Sequence, residues 1–173
     1  MIEFSTTLEQ FSNNVYGYHL PVDANITTLM TSDTHKRVKC TLNNSIQIHS
    51  GLMPIDGGSF ILINKKVRNK LGLELGDSVS VAIEKDTSEY GIPMPDSFMV
   101  LLDQDKEGSI FFHALTPGKQ RSLIYLTSKV KNIDKQINKG LAILEHLRDV
   151  QGKLDYKMLA EKIKAYNQRD NFT

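Results

Sequence analysis

The chain has 173 residues, with one cysteine, no tryptophan, five prolines and no strong charge of either sign. The single thiol, Cys40, excludes an internal disulfide framework and fits a reducing compartment. No apolar run approaches the ~20 residues of a membrane-spanning helix, and no basic n-region with an apolar h-region opens the chain. A cytoplasmic location and no membrane partner are therefore expected. The formal net charge is +1, so no overall field draws the chain to nucleic acid or anionic lipid. Catalytic signatures are missing too. The five histidines (19, 35, 49, 113 and 146) show no metal-ligand spacing. There is no Gly-x-Ser-x-Gly elbow, phosphate-binding glycine loop or dinucleotide fingerprint. Ser128 and Lys131 match a nucleophile-plus-lysine spacing, which a charged solvent-facing helix explains better. A non-catalytic protein without metal or cofactor is the expectation.

What is present begins with the run from Gly57 to Val81, GGSFILINKKVRNKLGLELGDSVSV. Ser59 to Ile63 is short, apolar and β-branched, as a buried strand requires. Asn64 can cap the helix that follows, and Gly72 sits where a left-handed residue would stop it. Gly76 and Asp77 supply a turn, after which Val79, Val81 and Ile83 alternate inward. Upstream, Ile2, Phe4, Thr6 and Leu8 alternate, as do Tyr16, Tyr18 and Leu20, and Asp23 can cap a short helix. Arg37 to Leu42 and Ser45 to His49 read as a hairpin turning at Asn43 and Asn44, because Asn tolerates positive φ. Cys40 falls in this alternation as an inward-facing small hydrophobe. Met53 to Gly58 reads as a loop. The expected fold class is α+β: a small split or nearly closed β-barrel capped by short helices, then a helical domain.

The period changes within Asp86 to Pro95. Beyond it, Pro95 and Asp96 open a helix bearing Phe98, Leu101 and Leu102 that Gly108 is expected to end. Thr116 and Pro117 open another, with Leu123, Leu126 and Val130 inside. Ile133, Ile137, Leu141, Leu144 and Leu147 give a third apolar face. Asp155 caps a last helix carrying Leu159, Ile163 and Tyr166, whose stripe can dock on the body or on a second copy in a homodimer. The expected divisions are a barrel domain over 1–92, a helical domain over 93–150 and a tail helix over 151–173.

These stretches resemble a known family. KRVKCTLNN, the paired glycines before FILINKKVRNKLGLELGDSVSVAIEKD, and IPMPDSF are similar to a bacterial β-barrel domain of unknown function. That domain often precedes a YdeI/OmpD-associated, or bacteriocin-protection, domain. FFHALTPGKQRSLIYLTSKVKNIDKQINKGLAILEHL resembles this second domain, so the resemblance spans Phe4 to Val150. It implies a double-split barrel of the broad group that includes the AbrB and MazE transcription factors, whose VRNKLGLELGD-like segment is similar. Relatives carry an Ala-Lys and then a Thr-Arg-x-Arg-Arg cluster; here Val130-Lys131 is followed by Lys135, Gln136, Asn138 and Lys139. The lysine is kept and part of the basic cluster is lost. The resemblance implies a role in stress or bacteriocin tolerance and carries no assigned activity.

Charge patterning suggests where a partner would sit. Residues 1–90 carry eight basic against ten acidic residues, and residues 91–173 carry thirteen against ten. Lys65, Lys66, Arg68 and Lys70 cluster on one short helix. Lys119, Arg121, Lys129, Lys131, Lys135 and Lys139 make a second basic region, in which Lys131, Lys135 and Lys139 are spaced for one helical face. The leading expectation is a binding or regulatory module engaging an anionic partner such as nucleic acid through these cations. For each basic region taken by itself, a solvated outer face is the simpler account. The alternative function is a small-molecule or peptide-binding module using a groove between barrel and helices, lined by Tyr16, Tyr18, Phe60, Tyr90, Phe111 and Phe112.

Overall fold

The structure is a computed structural model and describes residues 1–12 and 17–169. Tyr16, one of the residues expected to line a groove, lies outside the described residues. The chain divides into two compact units, Met1–Thr87 and Ser88–Thr173.

The first unit holds eight strands and two short helices among its described residues: β1 (Ile2–Thr7), β2 (Glu9–Gln10), β3 (Tyr18–Asp23), α1 (Ala24–Met30), β4 (Arg37–Leu42), β5 (Ile46–Gly51), β6 (Met53–Ile55), β7 (Gly58–Leu62), α2 (Lys65–Leu71) and β8 (Ser78–Lys85). The strands form two antiparallel sheets, ordered β1-β8-β4-β5 and β2-β3-β7-β6. Neither sheet closes on itself, so the expected barrel is realised as two separate sheets sharing a core. Leu20, Val22 and Ile61 from one sheet pack with Val38, Cys40, Leu42, Val79, Val81 and Ile83 from the other. Burial pushes the Cys40 thiol up to about 12, as befits an inert core residue.

Local chemistry sets the turns. Asn43 and Asn44 take φ of 47° and 50°, which closes the β4–β5 hairpin at the expected place. The Asn64 side chain accepts from the Val67 amide at 2.9 Å, and Gly72, at φ 63°, ends α2. The Asp77 carboxylate accepts from the Glu74 amide and holds the turn before β8. The stretch read as a loop from Met53 to Gly58 is instead the edge strand β6 with a tight return into β7, pairing Met53 with Phe60 and Ile55 with Gly58. Pro54 argues against a central strand, but at an edge its missing N–H costs nothing.

The second unit is built from α3 (Asp96–Gln104), α4 (Lys106–Ala114), α5 (Pro117–Ser128), α6 (Ile133–Asp149) and α7 (Tyr156–Arg169). Phe98, Leu102, Phe112, Leu123, Ile124, Ile143, Leu144 and Leu147 form its core, with Leu159 of α7 buried among them. Gly108 does not end a helix. The break falls at Asp105, whose side chain caps α4 by accepting from the Gly108 amide at 2.9 Å. Gly108 lies inside α4 because a Cβ there would stand 3.0 Å from the Leu144 Cβ. Val130, expected on the inner stripe of α5, lies beyond that helix, which ends at Ser128. Asn132 then caps α6 by accepting from the Lys135 amide at 2.9 Å.

The last helix is tied to α6 by charge as well as by Leu159 and Ile163. Lys162 donates to Glu145 at 2.6 Å and also to Asp149, while the Tyr166 hydroxyl donates to Glu145. Hydrogen bonds from Lys162 and Tyr166 hold the Glu145 carboxyl below its ordinary range. Burial, reinforced by the Lys162 charge, holds the His146 imidazole below its ordinary value. Both shifts act in one direction. His146 contributes fully above the ordinary imidazole value of 6.5. Below that value the unfolded chain takes up a proton that the folded chain refuses, and stability is lost. Glu145 adds a further loss below the ordinary carboxyl value of 4.5. Amide exchange in α7 is therefore expected to accelerate relative to the rest of the unit as pH falls below 6.5, and His146→Gln should flatten the first part of that change. Exchange in α7 that follows only the intrinsic pH dependence would contradict the assignment.

Candidate functional site

The irregular segment 88–95 and the pair α3–α4 enclose a cavity of about 370 Å³ within the second unit. Its walls are the side chains of Ile92, Pro93, Met94, Met99 and Leu102. Pro93 and Pro95 stiffen the segment, and Gly91, at φ 67°, makes the turn in which its amide donates to the Ser88 carbonyl. Beneath it, Phe112 and Phe98 meet edge to face with ring centres 5.5 Å apart, and the Tyr90 ring lies 5.9 Å from Phe112. Gln120 donates to the Phe112 and His113 carbonyls, which fixes the end of α4.

The polar part of the lining is Tyr90, His113 and Ser109, with Glu89 and Asp103. His113 Nδ1 lies 2.8 Å from the Ser109 carbonyl. A carbonyl can only accept, so Nδ1 carries a proton and donates. In the neutral ring Nε2 is then an acceptor, and it faces the Tyr90 hydroxyl at 3.0 Å. Burial, with the hydrogen bond and charge of Glu89, pushes the Tyr90 phenol up to about 12, so it stays a neutral donor. The volume, apolar walls and few converging polar groups are those of a small-molecule pocket. A larger cleft of about 620 Å³ lies along α6 and α7, lined by Met158, Lys162 and Tyr166. It is more open to solvent, and Lys162 and Glu145 already satisfy each other there. The smaller pocket is the better candidate.

The cations read from the sequence fare differently. Lys65, Lys66 and Lys70 are exposed on α2, whereas the Arg68 guanidinium stacks 3.9 Å from the Tyr18 ring centre. Lys119, Lys131 and Lys135 are exposed, and Arg121 is half-buried. Lys131 precedes α6, so the expected helical face reduces to Lys135 and Lys139. Lys139 donates to the Leu126 carbonyl at 3.2 Å, and burial followed by repulsion from Lys129 lowers its ammonium. The two groups of cations belong to different units.

Sequence reasoning named Tyr90 as a groove residue and placed His113 only among five scattered histidines, and did not join them. Half of the signal was present, since Ser109 and His113 lie four apart on one helix face. The other half comes from a segment outside that helix. A second polar pair, His49 Nδ1 and the buried Asp86 carboxylate at 2.8 Å, ties β5 to the end of β8 in the first unit. Burying a carboxylate demands such a partner, so this pair is explained by structure.

Fold and site together define an α+β protein with a two-sheet unit and a helical unit that carries the pocket. Residues 4–83 match the model of a family described as a domain of unknown function, DUF1905. The match spans the first unit from β1 into β8 and stops short of the pocket. No curated protein matches the chain. Among the described residues no helix is long and apolar enough to cross a membrane.

Proposed function

We propose that the chain is a non-catalytic binding module whose ligand is a small molecule with an apolar body held in the pocket of the helical unit. The observation that carries this reading is the pairing of apolar walls with the Tyr90–His113 hydrogen bond inside a cavity of ligand size. Met94 and Met99 suit the role, because thioether side chains adapt to varied apolar shapes. This departs from the expected groove between barrel and helices, since every lining residue belongs to the second unit.

An anionic partner ranks second. Of the ten cations in these two regions, Lys65, Lys66 and Lys70 are exposed in one unit and Lys119, Lys129, Lys131 and Lys135 in the other. Strongly salt-dependent DNA binding involves about six to ten phosphate contacts. A bacteriocin-protection role, implied by the resemblance over 111–147, names no ligand and is compatible with either reading.

A screen of small amphiphiles by thermal shift, with native mass spectrometry of the freshly purified chain, tests the pocket. Met99 is 52% exposed, so Met99→Trp fills the pocket from its rim at little cost to the fold. Ligands that stabilise the wild type are expected to lose about ten-fold or more in affinity against this variant while its own melting is unchanged. Equal binding by both proteins would remove the site.

A further inference from the structure

The charged and hydrogen-bonding groups around the pocket are unbalanced. Its charged side chains are Glu89 and Asp103, and no lysine or arginine lines it. The imbalance continues inside. With Nδ1–H of His113 committed to the Ser109 carbonyl and the Tyr90 hydroxyl donating to His113 Nε2, the Tyr90 oxygen and the two carboxylates line the pocket as acceptors. Lys106 lies 3.8 Å from Asp103 with both side chains exposed, a pair too solvated to cancel the local negative field.

We infer that the pocket selects a cationic amine on a compact apolar body, an inference that rests on the binding role proposed above. The ammonium N–H groups can donate to the Tyr90 oxygen and to the carboxylates, and the charge is matched by Glu89 and Asp103. The hydrocarbon part lies against Met94, Met99, Ile92 and Leu102. A carboxylate on the same body would meet two like charges and no counter-cation. An alcohol would bring one donor without charge.

Hexylamine, hexanol and hexanoate share one chain length and separate these cases. Calorimetric titrations of the full chain are made at about pH 8, where the amine carries its positive charge and hexanoate its negative one. Hexylamine is expected to bind about five- to ten-fold tighter than hexanol, with hexanoate weakest. Added salt should weaken hexylamine and leave hexanol unchanged. The double variant Glu89→Gln, Asp103→Asn changes two exposed side chains and should bring hexylamine to within about two-fold of hexanol. Equal affinities for all three probes, or hexanoate tightest, would overturn the charge selectivity while leaving the binding role standing. Failure of all three to bind would overturn the binding role itself.

Discussion

Gly58→Ala is expected to lower the stability of the two-sheet unit by about 3 kcal/mol or more. Gly58 has φ 155°, and a Cβ there would stand 2.3 Å from the Val22 carbonyl oxygen and 3.1 Å from the Ala24 amide nitrogen. Both are backbone atoms at the junction of β3 and α1, so no side chain can swing away. Relief would require β7 to part from β3, where Gly58 pairs with Asp23. Gly57 is the control. It has φ 80° with nothing within 4 Å of an added Cβ, so Gly57→Ala should cost only the left-handed conformer, about 1 kcal/mol. Hydrogen exchange of the β3 and β7 amides separates the two variants. A Gly58→Ala protein as well protected as the Gly57→Ala protein would contradict the close approach of these strands.

Phe112→Ala should cost the helical unit about 3–5 kcal/mol, because the ring is fully buried and packs edge to face on Phe98. The same ring backs Tyr90, so what remains folded should bind pocket ligands poorly. Phe112→Leu distinguishes the two effects. It keeps an apolar side chain at the site, and a loss of about 1–1.5 kcal/mol should leave the unit folded. Ligand affinity should nevertheless fall, since Tyr90 loses the aromatic surface that sets its tilt toward His113. Denaturant titration and calorimetry on the same samples give both numbers. A Phe112→Ala protein within about 1 kcal/mol of the wild type would contradict the packing.

Much of the first unit was readable because its signals are local. Asn64, Gly72 and Asn44 act on residues within a few positions of themselves, and each does what its side chain or φ preference dictates. Closure of the barrel is different. It depends on β1 meeting β8 and on which edges remain unpaired, and no neighbouring residues encode that. Gly108 was misread for the same reason, since its need for space comes from Leu144 on another helix. The site was half legible. Cation identity was plain, but the partners that occupy Arg68 and Lys139, the Tyr18 ring and the Leu126 carbonyl, lie on other elements. Tyr90 and His113 are individually unremarkable residues. Their meaning comes from the 3.0 Å contact between a proline-stiffened segment and a helix.

The six methionines provide the most direct test of the pocket. Met94 and Met99 line it, Met158 lines the cleft along α6 and α7, and Met30 and Met53 lie in the first unit. Methyl-labelled methionine spectra of the full chain, recorded during titration with hexylamine, therefore report the bound position without mutation. Saturable shifts of the Met94 and Met99 methyls, with Met30, Met53 and Met158 unmoved, are predicted. Shifts confined to Met158, or no shift at saturating probe, would contradict a ligand site in the helical unit's pocket.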